Sequence, residues 1–204
     1  VNSLSDIFLS AGYNFLEHFS VTGGVKIPMN DGNKTLDGNA LPMNYQTSLG
    51  TVDLLLGFGY TLRRFSIMAG YQQPLTQNKN QFLANDYAPD DPENKYFSTR
   101  NYHRAADAML RLSYIAVQSR KINLVTSLLP IYHILHDSYE DPDGKRVTLS
   151  GSQGLTLNVN VILKYHITNR QSLELNLGAP ALARSVRPDG LSKFAIAAGY
   201  IISF

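Results

Sequence analysis

Apolar residues alternate with small or polar ones along most of this chain. From Thr51 to Leu62, Val52, Leu54, Leu56, Phe58, Tyr60 and Leu62 share one parity; Thr51, Asp53, Leu55, Gly57, Gly59 and Thr61 share the other. A period of two places the two sets on opposite faces of an extended strand. The same pattern predicts strands at Ile7–Phe15, Phe19–Ile27, Phe65–Gln73, Ala105–Val117, Ile122–Leu135, Leu155–Thr168 and about Ser172–Arg184. A ninth closes the chain at Phe194–Phe204, with Phe194, Ile196, Ala198, Tyr200, Ile202 and Phe204 on its apolar face.

The connections alternate as well. Leu16–His18, Arg63-Arg64, Gln118–Lys121 and Asn169-Arg170 are short turns. Between them lie long polar segments, such as MNDGNKTLDGNALPMNYQTSLG and the stretch Pro74–His103 with NDYAPDDPENK. The prolines and acids of the latter exclude a core strand. Asp, Asn and Gly in such segments are ordinary turn vocabulary.

Charge then sharpens the picture. The nine apolar faces hold no Asp, Glu, Lys or Arg, whereas the opposite faces hold Lys26, Asp53, Asp107, Arg111, Lys164, Glu174 and Lys193. A charge facing lipid costs roughly 2–4 kcal/mol at the bilayer midplane, which accounts for so clean a segregation. A soluble barrel would invert it. Tyr13, Tyr60, Tyr71, Tyr114 and Tyr165 stand toward strand ends, as an aromatic girdle requires. The expected fold is therefore all-β: an antiparallel transmembrane β-barrel in one domain, in the outer membrane of a Gram-negative bacterium.

Composition agrees. The chain has 204 residues, 44% hydrophobic, and a net charge of +2; its mean hydropathy is -0.15. No run approaches the roughly 18 apolar residues of a membrane helix. The small charge gives no reason to expect a nucleic-acid partner. Cysteine is absent, which excludes disulfides and thiolate metal sites. No basic-then-apolar leader precedes the first strand, so a mature form or a piece of one is expected.

Strand parity adds an expectation. Nine strands joined by hairpins leave the first and last running the same way, and bacterial single-chain barrels have even strand numbers. A further strand, before Val1 or from another chain, is expected between them. The intact protein would then have ten or twelve.

Two resemblances follow from particular residues. The final strand, ending on Phe204 with Tyr200 and Ile202 at alternate positions before it, resembles the C-terminal signal read by the outer-membrane assembly machinery. It implies that machinery as a partner, beside outer-membrane lipid and lipopolysaccharide. GGVKIP at Gly23–Pro28, LP at Leu41-Pro42 and LGTVDLLLGFGYT at Leu49–Thr61 resemble the outer-membrane barrels known as MetA-pathway phenol-degradation or general transporter proteins. That resemblance implies a small channel or transporter and no catalytic residue.

The candidate site residues face the expected lumen: Lys26, Asp53, Asp107, Arg111, His133, Lys164, His166, Glu174 and Lys193. Lys164 and Glu174 lie across one hairpin, where an ion pair is expected. Asp107, Arg111 and His133, with His103 and His136 nearby, form the one group resembling acid–base machinery, yet no motif sets a nucleophile beside it. DGNKTLDGN and EDPDGK offer oxygens for Ca²⁺, but neither matches the EF-hand pattern. Neither cofactor nor metal is expected. Leu55, Met68, Met109, Ile115, Val125, Leu129 and Ile131 make the same face half apolar. The reading is a channel or transporter for a small solute, a hydrophobic one being compatible with that face. A non-conducting barrel that binds envelope proteins is the alternative, and an outer-membrane hydrolase is third.

Overall fold

The structure is a computed structural model that describes residues 5–189 and 194–202. Nine long antiparallel strands form one sheet, in which they follow one another in chain order. They are β1 (Ile7–Phe15), β2 (Phe19–Ile27), β5 (Asp53–Leu62), β6 (Phe65–Pro74), β7 (Asp107–Gln118), β8 (Ile122–His133), β11 (Gly154–His166), β12 (Gln171–Leu182) and β13 (Ala195–Ile202). Four short strands make two small hairpins in the long loops: β3 (Thr35–Leu36) with β4 (Asn39–Ala40), and β9 (Ser138–Glu140) with β10 (Arg146–Thr148). Sequential strands pair with their neighbours, so short turns gather at one end of the sheet and long loops at the other.

The alternation determines which side chain faces where. Register pairs such as Val25–Leu54, Leu56–Tyr71, Ala69–Leu110 and Val161–Leu177 stack apolar residues on one face. That face is exposed along its whole extent, from Leu9 and Leu56 to Leu173 and Ile196. The other face carries every Asp, Glu, Lys and Arg of the nine strands, and among them Lys26, Asp53 and Asp107 are buried. The burial pattern is thus the reverse of a water-soluble sheet's.

The sheet is strongly curled about its polar face. Ser10 of β1 and Leu129 of β8 line one cavity of about 310 Å³. Five inter-strand steps separate them, about 24 Å along a flat sheet, so only a curved sheet brings them together. β1 and β13 are its edges, and no ladder joins them among the described residues.

Pro130 interrupts the ladder in mid-sheet. It has no amide hydrogen, and the β7–β8 register passes from Met109–Ile131 to Leu112–Leu128, leaving Leu110 and Arg111 without a β8 partner.

Above the loop end sits a packed cap, and most of the apolar core lies there: Leu41, Met43, Phe82, Leu83, Tyr102, Ala105 and Leu149. The cap is held by buried amides. Asn80 Nδ2 donates to the carbonyls of Gly32 (2.9 Å) and Leu41 (3.0 Å), and its Oδ1 accepts from Thr99 Oγ1 (2.7 Å) and Phe82 N (3.0 Å). These bonds join the 28–52 and 75–106 loops into one body.

Candidate functional site

Among the described residues, the inner face carries two polar clusters and a cavity. The first cluster lies where β2 meets β5. Register places Lys26 opposite Asp53, and their charged ends meet at 2.9 Å. Lys26 Nζ also donates to Thr51 Oγ1 (3.1 Å) and stands 3.5 Å from Asp6. Thr51 Oγ1 donates to Asp53 (2.6 Å), and Gln72 Nε2 donates to it from β6. A buried charge needs such partners, and this cluster joins three strands at their loop ends.

The second cluster begins with the register pair Asp107–His133. His133 is fully buried. Its Nδ1 lies 2.7 Å from Asp107 Oδ1 and its Nε2 lies 2.7 Å from Asp137 Oδ1. Two carboxylates can both accept from one imidazole only if both ring nitrogens carry protons. Arg104 bonds Asp107 through Nη2 and Asp189 through Nε at 3.3 Å, while Arg184 Nη2 reaches Asp189 at 2.8 Å. Ala105 N donates to Asp137 Oδ1 (2.9 Å), and Asp137 N donates to Ser152 Oγ (2.8 Å). Six charged side chains from β7, β8 and three loops therefore share one network.

Electrostatics follow from that geometry. Burial pushes the Asp137 carboxyl up, but the His133 hydrogen bond and charge outweigh it and hold it below the ordinary carboxylate value. Burial likewise opposes the charge on Arg104, and Asp107 and Asp189 more than compensate. The Tyr102 phenol is pushed well above its ordinary value by burial, then by the Asp189 and Asp137 carboxylates. The network is a structural lock in its chemistry. Both His133 nitrogens are engaged, so neither is free to take a proton from a nucleophile. The Ser152 hydroxyl, which accepts from Asp137 N, donates to the Leu149 carbonyl at 2.7 Å.

The expected acid–base group is thus only partly assembled. Asp107 and His133 meet, while Arg111 lies a turn of the alternation away in the cavity. His103 joins Ser138 through backbone bonds, and exposed His136 accepts from Gln153 N (3.4 Å); neither reaches the network. Lys164 and Glu174 are direct register partners, yet no ion pair forms between them among the described residues; both remain half-exposed to the interior, where solvation competes with pairing. His166 ends β11 beside Arg120 and Lys121 at the turn end. Lys193 and Phe204 lie outside the described residues, while Tyr200 and Ile202 stand on the exposed apolar face. Sequence reasoning missed Arg104, Asp137, Arg184 and Asp189, which sit in loops. The spacings Arg104–Asp107 and His133–Asp137 were the available signal, because each puts a loop charge beside a strand-end charge.

The cavity arises from small side chains. Register aligns Gly12, Thr22, Gly57, Gly70 and Met109 across β1, β2, β5, β6 and β7. With four of these five short or absent, a recess opens between Leu55 on one side and Met68, Arg111 and Leu129 on the other. Met109 folds over Gly70, where a Cβ would stand 2.7 Å from its Cγ. A larger hollow of about 540 Å³ lies against Phe65, Ile67, Leu112 and Leu128, side chains of the exposed apolar face. No group of His, Asp and Glu suited to a metal ion occurs among the described residues.

No protein-family model matches the chain, and no curated protein matches it either. The likeness to the phenol-degradation transporter barrels therefore rests only on the residues of Gly23–Pro28, Leu41-Pro42 and Leu49–Thr61.

Proposed function

We propose that this chain is an outer-membrane β-barrel of a Gram-negative bacterium that admits a small, largely apolar solute. The observation carrying the proposal is the recess over Gly57 and Gly70: an apolar-lined cavity on the charge-bearing inner face of a sheet whose other face is apolar and exposed. Lipid would cover the exposed face, since a charge-free band suits hydrocarbon. Aromatic side chains mark both borders of the band. Phe15, Phe19, Phe58 and Tyr60 cluster at the turn end with ring centroids 5.0–6.3 Å apart, and Tyr71 and Tyr132 stand at the loop end. Edges β1 and β13 would be closed by one or three further strands, giving ten or twelve, because hydrocarbon offers no substitute partner to an open edge.

A second reading has its own support. The cap buries Tyr102 and Phe82 and ties its loops together, which suits a sealed barrel serving as a scaffold for envelope proteins. Uptake separates the two. Cells carrying the protein in a lipopolysaccharide-bearing outer membrane should take up the neutral dye N-phenylnaphthylamine faster than cells lacking it. Equal rates with the protein inserted would overturn transport in favour of the scaffold.

A further inference from the structure

The cavity contains one charge. Leu55, Met68, Met109 and Leu129 supply its apolar walls, and Arg111 reaches in from β7. The buried charges on the neighbouring strand ends are engaged: Asp53 with Lys26, Asp107 with Arg104 and His133. Arg111 has no ion-pair or hydrogen-bond partner among the described residues. Its register neighbour on this face is Met68, and Leu129 lines the cavity beside it; neither offers an oxygen or a charge to a guanidinium. The guanidinium is a planar fork suited to a carboxylate, which it binds through two parallel hydrogen bonds.

We propose that this cavity selects apolar solutes bearing a single carboxylate, with the hydrocarbon body over Gly57 and Gly70 and the carboxylate on Arg111. The inference rests on the transport reading and names its solute class. A volume of about 310 Å³ suits a compact acid of one ring or a short chain, at the lower end of known ligand sites. The apolar walls supply affinity through area removed from water. Arg111 supplies the discrimination between an acid and the matching alcohol, because a carboxylate with a guanidinium makes charge-assisted bonds that a hydroxyl cannot.

The test uses cyclohexanecarboxylate and cyclohexylmethanol, which share a body and differ in the head group. Calorimetry on nanodisc-embedded protein, blanked against empty nanodiscs, should show the acid binding about tenfold tighter than the alcohol. Arg111→Gln should abolish that preference by weakening the acid, while Arg111→Lys should retain part of it. Gly57→Leu should weaken both ligands, since a Cβ there meets nothing closer than 3.5 Å and a longer side chain fills the recess. Equal affinities in the unsubstituted protein, which need no variant to fold, overturn the proposal. So does a preference that survives Arg111→Gln, or unchanged binding in Gly57→Leu. Fast dye uptake without acid preference would sink this inference alone. Acid preference without dye uptake would leave the site and remove the transport reading.

Discussion

The nine-strand wall and the loop cap bury opposite kinds of side chain. In the wall, Leu56, Phe58 and Leu173 stay exposed while Lys26, Asp53 and Asp107 are hidden. In the cap, Phe82, Met43 and Leu83 are hidden in the usual way, with Asn78 and Asn80 beside them as satisfied hydrogen-bonding groups. On the proposed reading the wall relies on lipid to favour its apolar face, whereas the cap carries an apolar core of its own. Their junction is the Asp107–His133–Asp137 network, where strand ends and loops share charges.

The sharpest way to break that division is at the junction. His133→Ala leaves Asp107 and Asp137 buried without their shared cation. Removing one partner of a buried ion pair costs about 3–5 kcal/mol. Limited proteolysis of the 134–153 loop should accelerate by orders of magnitude, while membrane insertion of the strands is retained. An intact cap in this variant would mean that the network does not hold it.

The wall is tested by placing charge on its faces. Leu56→Arg and Val161→Arg should each lower the folding free energy in bilayers by roughly 2–4 kcal/mol, while Asn160→Arg, one residue away on the other face, should cost markedly less. Equal folding yields for all three, measured by heat-modifiable gel migration, would refute the assignment of the apolar face to lipid.

The smallest effect concerns acid. Asp137 titrates below its ordinary value in the folded protein, so its ionised form stabilises the fold. That contribution is complete above the unfolded carboxylate's pKa and disappears as pH falls through the lowered folded one. The cap should therefore resist pepsin through mildly acidic pH and loosen only below the ordinary carboxylate range. Asp137→Asn should be loose at every pH. Identical acid profiles for the two proteins would exclude Asp137 as the group responsible.

The wall was legible in the sequence because its signal is local. Alternation places β1 and β2 at their observed ends, and β5, β6, β7, β8, β11 and β12 differ by one or two residues at an end, because parity does not say where the ladder stops; the end of the last strand lies outside the described residues. Thr51 and Val52, for instance, precede β5: the Thr51 hydroxyl donates to Asp53, and Val52 N donates to Thr76 Oγ1 while its carbonyl accepts from Leu75 N. The cap was not legible. Its Asn78 and Asn80 look like solvent-facing loop residues, and their burial depends on carbonyls 29 to 48 residues away. The hairpins β3–β4 and β9–β10 are too short to show a period. The site was half visible: Asp107 and His133 share a register position, but Asp189 reaches Arg104 across 85 residues.

That last separation also makes the junction a clasp. Arg104 and Asp107 are near neighbours in sequence, and His133 is the register partner of Asp107. Asp189 follows β12 and meets Arg104 across 85 residues. The Arg104–Asp189–Arg184 bridge therefore ties the loop before β7 to the loop after β12. It closes a ring through four consecutive strands of the sheet, so the mouth of the wall cannot widen between β7 and β12 without parting a charged pair.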